Sequence, residues 1–312
     1  MARIDFLYFA TLTESAGGDP GTDSTVNLII NDGTERLNHR FGDTVQADQE
    51  RGQANLYRID VRSRGIDSTR LVDGSIRVGV VGDDEWRPNV LFLWGFTPAP
   101  VQVRPPAVVP LAIETGVTTP LSTDDAGAAS SMPLRIVRSG NRTTLINELL
   151  LLTNTAYDPA ASWGGARIGD PGPSGKGTDD RIELQIIAGG GLVVQHVVPD
   201  TPQDDLESGQ VNFYRVPVAV PFTRGSMATD AVRLGIGGAD LWLPAALYLF
   251  GVDSRRGRPA SIIPLVHIDR WGPFVNQGGL GALSTDSSEG RPQVVLPLLS
   301  LTTAPTNDRV DS

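Results

Sequence analysis

The chain lacks cysteine altogether, and Lys176 is the single lysine among its 26 basic residues. The absence of cysteine excludes disulfides, thiolate zinc sites, iron–sulfur clusters and a cysteine nucleophile. Lys176 is the one position at which a phosphate-binding loop could supply its lysine, and no GxxxxGK[ST] motif surrounds it. Functions that depend on cysteine chemistry or on a P-loop are therefore excluded.

Long apolar runs and targeting signals are also lacking. The longest apolar stretch, residues 241–252, contains Pro244 and falls well short of the ~20 residues that a membrane-spanning helix needs. The N-terminal apolar run contains Asp5 and has no basic region before a long hydrophobic segment. The sequence therefore predicts a soluble protein with no signal peptide or transmembrane segment, located in the cytoplasm or in a particle.

The charge balance is acidic, with 36 Asp and Glu against 26 Lys and Arg and a net charge of −10. Such a surface repels a phosphate backbone, so we expect no nucleic-acid partner. Hydrophobic residues make up 40% of the chain, which is ordinary for a globular protein, and 312 residues suit two domains.

An internal repeat with an offset of 156 residues organises the chain. Residues 76–95 align without gaps on residues 232–251, with nine identical pairs in twenty positions. The other matching blocks are residues 21–30 with 177–186, residues 46–57 with 203–214 after a one-residue shift, and residues 108–114 with 262–268. We interpret this pattern as a duplication, with domains at residues 1–140 and 141–312.

The repeated unit has the pattern of antiparallel β-structure. Residues 26–30 and 76–80 alternate apolar and polar side chains, as half-buried strands do. Residues 89–94 form a nearly continuous apolar run, which indicates a strand covered on both faces. Gly and Pro punctuate the chain, and helical periodicity is scarce. The predicted fold is all-β: two tandem antiparallel β-sandwiches, each followed by a β-rich extended tail.

Three recurring motifs resemble those of the PLAT (lipoxygenase-homology) family. In the first unit they are the GTD at residues 21–23, the DQERG at residues 48–52, similar to that family's DFERG, and the DEWRP at residues 84–88. In the second unit they are residues 177–179, 205–209 and 240–244. The similarity spans residues 5–96 and 145–252 and leaves the tails unexplained. It implies eight-stranded sandwiches that bind lipid surfaces or protein partners.

Some PLAT domains bind calcium in loops at one end of the sandwich, and the resemblance carries this expectation to six aspartates. They are Asp23, Asp48, Asp84, Asp179, Asp205 and Asp240. Calcium takes six to eight oxygen ligands, which carboxylates and the carbonyls of Gly-rich turns can supply. The alternative is that these aspartates only form Asx-turns and bond backbone N–H groups.

The tryptophans fall into two groups. Trp86 and Trp242 each open an apolar strand pattern and are predicted core residues. Trp163 and Trp271 lie in Gly- and Pro-rich segments, where an exposed ring can enter a membrane interface or a pocket of a partner. We take these two as candidate partner-binding residues, with a core role as the alternative.

Signs of catalysis are scarce. The three histidines lie at non-equivalent positions of the repeat, and HExxH, GxSxG and a helix-opening GxGxxG are missing. The chain is therefore predicted not to be an enzyme.

Two functions remain open. One is a non-catalytic binding module that docks to a lipid surface, glycan or protein through the end loops of its sandwiches, with calcium as a candidate cofactor. The other is a structural subunit of a larger assembly such as a capsid, sheath or filament, whose tails pair with a neighbouring sheet edge. A protein partner or self-assembly is expected first, and a membrane surface second.

Overall fold

The predicted all-β class is confirmed by a computed structural model of the chain. The structure describes residues 3–15, 20–41, 49–82, 84–98, 106–123, 129–155, 177–199, 206–207, 209–238, 240–254, 261–272, 279–288 and 290–300. Within these ranges the chain forms seventeen strands and two single-turn 3₁₀ helices. No helix in this part of the chain is long and apolar enough to cross a bilayer.

The strands divide into two series that follow each other along the chain. The first series is β1 (Phe6–Thr13), β2 (Thr25–Asn31), β3 (Arg36–Phe41), β4 (Ala54–Asp60), β5 (Ile76–Val81), β6 (Pro88–Thr97), β7 (Ala107–Thr115), β8 (Ser131–Pro133) and β9 (Arg138–Ser139). The second is β10 (Leu145–Thr155), β11 (Ile182–Ala188), β12 (Gly191–Val197), β13 (Val211–Thr223), β14 (Met227–Ile236), β15 (Pro244–Asp253), β16 (Ser261–Ile268) and β17 (Gln293–Val295).

Each half is a two-layer sandwich. In the first half an outer sheet of order β3-β2-β5-β8 packs on inner strands of order β7-β6-β1-β4. The alternating residues Val26, Leu28 and Ile30 of β2 point into the space between the layers and are fully buried. This burial is the reason for the period-two pattern of the sequence, because successive side chains of a strand face opposite sides.

The second half repeats this strand pairing. Its outer sheet has the order β12-β11-β14-β17, and its inner strands have the order β13-β10-β15-β16. Even the irregularities correspond, since the β1–β6 register shifts after Leu12 and the β10–β15 register shifts after Asn154. The halves thus share one topology. The duplication and the domain boundaries at residues 1–140 and 141–312 stay predictions of the sequence.

The described strands of the tails complete the sandwiches. Residues 6–97 supply six strands, and the tail adds β7 beside β6 and β8 beside β5. In the second half β16 pairs with β15 and β17 pairs with β14. Eight strands per sandwich, as the resemblance implies, are therefore reached only with the tail strands, each of which pairs with a strand of its own half.

The inner strands of both halves belong to one nine-stranded sheet. The halves join through β4 and β13, which pair antiparallel at a single position, Ala54 with Val211. A second connection is made by the segment that contains Val137 and β9. The Val137 N–H donates to the Leu111 carbonyl at 3.0 Å, and β9 pairs in parallel with β16 of the second half. The two sets of inner strands are thus connected on both sides, and apolar side chains fill the interior between them.

This interior is an aromatic core shared by the two halves, which we term the central core. Its largest members are Tyr8, Phe92, Trp94, Tyr248 and Phe250, each fully buried. Rings meet across the halves, with centroids 4.8 Å apart for Phe92 and Phe250 and 5.5 Å apart for Tyr8 and Tyr248. The molecule thus has four β-layers and three cores, one in each sandwich and one between them.

Candidate functional site

The end loops of the first half bring Asp23 and Asp84 together. The Asp84 carboxylate accepts hydrogen bonds from the backbone N–H groups of Asp23 and Glu85, both at 3.0 Å. The Asp84 N–H in turn donates to the Ser24 hydroxyl at 3.1 Å. Asp23 and Asp84 are exposed. Each Asp84 oxygen thus has a backbone donor, which is the turn chemistry that the sequence left open as an alternative.

The second half has an equivalent turn, in which a carboxylate replaces the Ser24 hydroxyl as the acceptor. Asp180, the counterpart of Ser24, accepts the Asp240 N–H at 2.6 Å, and the Asp240 carboxylate accepts the Leu241 N–H at 2.9 Å. An added Cβ at Gly238 would lie 1.8 Å from the Asp180 carboxylate, so a side chain there would force that carboxylate to move. Asp179 and Asp240 are exposed.

Four of the six predicted calcium ligands can thus be placed, while Asp48 and Asp205 lie outside the described residues. Within the described ranges no three His, Asp or Glu side chains converge as metal ligands would. The carboxylates of Asp84 and Asp240 instead accept hydrogen bonds from backbone N–H groups. Calcium binding stays a prediction, and it would require ligands beyond the placed aspartates.

The tryptophans singled out in the sequence are buried wherever the structure describes them. Trp86 and Trp242 are fully buried, and their indole N–H groups donate to the hydroxyls of Thr13 and Thr155 at 3.1 and 3.0 Å. Their predicted core role is confirmed. Trp271 is 1% exposed, and its indole N–H donates to the Gly281 carbonyl at 2.7 Å.

Trp271 is therefore not available to a partner, and its prediction as a contact residue is wrong. Trp271 packs into the core of the second sandwich. Backbone bonds hold it there, from the Trp271 N–H to the Ala245 carbonyl and from the Leu280 N–H to the Trp271 carbonyl. Trp163, the other candidate, lies outside the described residues.

Polar side chains meet at one end of the central core, in a group that we term the His267 cluster: Tyr8, Arg58, Tyr248, His267 and Asp269. The Tyr248 hydroxyl donates to Asp269 at 2.9 Å, and Arg58 donates to the Tyr8 hydroxyl at 2.9 Å. The His267 side chain is 2% exposed, and its Nδ1 lies 3.6 Å from the Asp269 carboxylate.

Burial controls the ionisation of this cluster. It lowers the pKa of His267 to about 4, against the opposing attraction of the Asp269 carboxylate. Burial likewise raises the pKa of Tyr8 and of Tyr248, and the negative charge of Asp269 adds to both shifts. The histidine and both tyrosines are thus neutral at pH 7, packed among aromatic rings.

One sheet edge differs from the others in the described part of the chain. β12 ends the outer sheet of the second half and has no strand on its far side there. Its sequence, GLVVQHV, contains neither a charged residue nor proline, and Leu192 and Val197 are 53% and 36% exposed. Its counterpart β3 carries Arg36 and Arg40, and both are exposed. We term this feature the β12 edge.

A small cavity lies where the two halves meet, at the margin of the central core. Its volume is about 110 Å³, and its walls include Ile113 from β7 and Leu150 from β10. The Glu148–Arg215 ion pair, 2.6 Å long, lines it on the polar side. Sites for metabolites and cofactors are typically ~300–1,000 Å³, so this cavity is too small for such ligands.

The His267 cluster and the β12 edge were both missed by sequence reasoning. The three histidines are visible in the sequence, but nothing local places His267 beside Tyr8, which lies 259 positions away (267 minus 8). The lack of charged residues at positions 191–197 is visible in the sequence. It indicates an unprotected sheet edge only when the strand order shows that this strand lies at an edge.

Comparison with known proteins gives no relative: no family model, no curated protein and no solved structure matches the chain. Membership of the PLAT family therefore stays a prediction that rests on the three motifs.

Proposed function

We propose that this protein is a non-catalytic structural subunit that assembles with further copies of itself through the β12 edge. The observation that carries the proposal is the seven-residue β12 edge, which is uncharged and has no strand on its far side in the described part of the chain. An open strand presents a row of backbone N–H and C=O groups that another strand can bond, so natural proteins usually protect such edges.

The other outer-sheet edges in the described ranges carry such protection. β3 has its two arginines, while β8 and β17 are three residues long, and β8 contains Pro133. Arginines, short strands and proline all disfavour pairing with another chain. β12 has none of these devices. Its difference from β3, its counterpart in the other half, is what an edge retained for assembly would show.

The absence of a catalytic role belongs to the same proposal. The His267 imidazole is packed against aromatic rings, and the end-loop carboxylates of Asp84 and Asp240 accept hydrogen bonds from backbone N–H groups. Neither arrangement offers a substrate a reactive group in an accessible cleft. The shared central core makes the two halves one body, which suits a building unit better than two independent modules on a linker.

Association should therefore depend on β12. We expect sedimentation velocity of the wild type to show concentration-dependent oligomers, and we expect Leu192→Lys/Val197→Lys to weaken association at least about tenfold. Each new charge occurs on both copies, and a like-charged or unmatched cross-strand position costs up to ~1 kcal/mol. The matched control is Val72→Lys/Val220→Lys, which adds the same charge at valines that are 64% and 62% exposed outside β12.

The control variant should associate as the wild type does. A wild type that remains monomeric at the highest concentration tested would contradict the proposal, and so would equal weakening by both double variants.

A second candidate function is docking through the end loops, as the PLAT resemblance implies. The observation in its favour is that both halves present exposed aspartates at equivalent turns, Asp23 and Asp84 in one and Asp179 and Asp240 in the other. With calcium, such turns would bind a lipid headgroup, a glycan or an acidic protein surface. This function uses a different surface from the β12 edge, so the two are tested separately.

Calcium binding is tested by isothermal titration calorimetry. If the end loops hold the ion, we expect up to two sites, and Asp84→Asn/Asp240→Asn should weaken both at least about tenfold because calcium loses a charged ligand at each. The asparagine oxygen can still accept the N–H bonds of Glu85 and Leu241, whereas the Asp23 N–H loses its acceptor at Asp84 because an amide NH2 group cannot accept a hydrogen bond. An absence of heat at millimolar calcium would remove this function, and magnesium serves as the control ion.

A further inference from the structure

We propose that the His267 cluster is an acid-sensitive latch between the two halves, which holds them together at neutral pH and loosens when His267 takes up a proton. The proposal concerns the contact between the halves and is independent of the β12 edge. It rests on the position of the cluster, on one nitrogen of His267 that has no polar partner among the described residues, and on the aromatic rings that pack against the imidazole.

The cluster is built from both halves. Tyr8 of β1, Arg58 of β4 and Phe96 of β6 come from the first half, and Tyr248 of β15 and His267 of β16 come from the second. The imidazole stacks on Phe96 at 4.4 Å between centroids and meets the edge of Tyr8 at 5.2 Å. His267 therefore lies directly in the contact between the halves.

A protonated His267 would lack a hydrogen-bond partner for one of its two N–H groups among the described residues. Asp269 faces Nδ1 at 3.6 Å, whereas Nε2 is buried and has no hydrogen-bond partner among the described residues. A protonated histidine has an N–H on both nitrogens, so the Nε2–H would be left unpaired among apolar rings. Leaving a buried donor of a charged group unpaired is costly, and separating the halves would expose it to water.

The other groups that face His267 do not remove this cost. Arg58 carries a positive charge that opposes protonation, and its guanidinium lies over the ring of Phe6 at 3.8 Å. The hydroxyls of Tyr8 and Tyr248 are already engaged, with Arg58 and Asp269 respectively. The Asp269 carboxylate favours the proton but is shared with Tyr248, and a hydrogen bond to the backbone of His267 itself adds to this effect.

The direction of the pH effect follows from the lowered pKa. The folded pKa is about 4 and the ordinary value is 6.5, so the unfolded chain binds the proton first as pH falls. The stability due to neutral His267 is thus fully present above pH 6.5, is lost progressively between pH 6.5 and 4, and changes no further below that. Between pH 7 and 5 this predicts a rise of about 20-fold in the unfolding equilibrium constant.

The test is urea unfolding of the full chain at pH 7 and 5, for the wild type and for His267→Phe and His267→Gln. Neither replacement titrates, so both variants should lose most of the 20-fold pH effect whatever their stability at pH 7. The controls are His39→Gln and His196→Gln, since these histidines lie outside the central core and burial lowers the pKa of each. Each control should retain the larger part of the effect.

Loosening of the latch itself is read from Trp94, which lies in the central core. Acidification of the wild type to pH 4–5 should shift tryptophan emission to longer wavelength before urea unfolding begins, and this shift should vanish in a Trp94→Phe background. An unchanged pH effect in His267→Gln would overturn the proposal. So would an NMR titration of the wild type in which His267 titrates near pH 6.5, and this measurement does not depend on any variant folding.

Discussion

Replacement of Trp242 by alanine is expected to lower the free energy of unfolding by about 3–5 kcal/mol, the range for removing a buried tryptophan. Trp242 is fully buried in the second sandwich, and its backbone pairs with Leu283 of the tail. The indole N–H bond to Thr155 ties it to the end of β10. The side chain thus bonds to the inner sheet and lies in the same core as Leu283 of the tail, so its loss leaves a cavity in this core.

Urea unfolding followed by circular dichroism measures this effect, and the first half supplies an internal comparison. Trp86 occupies the equivalent place, with a bond to Thr13 and a backbone bridge to Leu121. Trp86→Ala should therefore lose a similar amount. Trp242→Phe keeps most of the volume and should lose less, about 1–3 kcal/mol, mainly through the missing hydrogen bond. A loss below about 1 kcal/mol for either alanine variant would show that the tryptophan does not stabilise its sandwich to the extent expected for a buried residue.

Replacement of Trp94 by alanine is expected to have an effect of the same size, about 3–5 kcal/mol, but with a different consequence. Trp94 is fully buried between the halves, stacked on Tyr8 at 5.2 Å and in contact with Tyr248 and Phe250 at 5.3 and 5.2 Å between ring centroids. Each sandwich keeps its own core in this variant. The coupling between the halves should weaken more than the halves themselves.

Differential scanning calorimetry distinguishes this uncoupling from a uniform loss. We expect the Trp94→Ala variant to unfold in two separable transitions, with a calorimetric enthalpy above the van't Hoff value. Trp94→Phe is the control, because the indole N–H of Trp94 has no hydrogen-bond partner among the described residues and its loss leaves no acceptor unpaired. If Trp94→Ala unfolds in one cooperative transition at lower temperature, the halves do not rely on the central core for their coupling.

Much of each sandwich could be predicted from local patterns. The alternation in residues 26–30 and 76–80 is that of β2 and β5, whose alternate side chains fill the first core. Such periodicity is local, because the pleat of a strand sends successive side chains to opposite faces whatever lies beyond. The predicted role of Trp86 as a core residue follows in the same way from the apolar strand that it precedes.

The functional features could not be predicted in this way, because each depends on segments that are far apart in sequence. Composition placed Trp271 in an exposed loop, yet tertiary contacts with Ala245 and Gly281 bury it. One of the two partners of the Asp84 carboxylate is a backbone N–H 61 positions away, at Asp23, which no spacing rule indicates. Glycine and proline content reports where a chain turns, and it does not report what packs over the turn.

The sequence by itself therefore determined the all-β class, the repeated order of strands and the need for a second cover on residues 89–94. In the structure Leu91 and Leu93 face the first sandwich core while Phe92 and Trp94 face the central core, so that strand is buried on both sides.

Only the tertiary structure decided what the second cover is: Tyr248 and Phe250 of the other half. It also decided which strands end the sheets, and so set the uncharged β12 apart from the arginine-bearing β3. The physical reason is common to both results. Apolar periodicity indicates that one face of a strand is buried. Which surface covers that face depends on the shape and packing of segments that come together only in the folded protein.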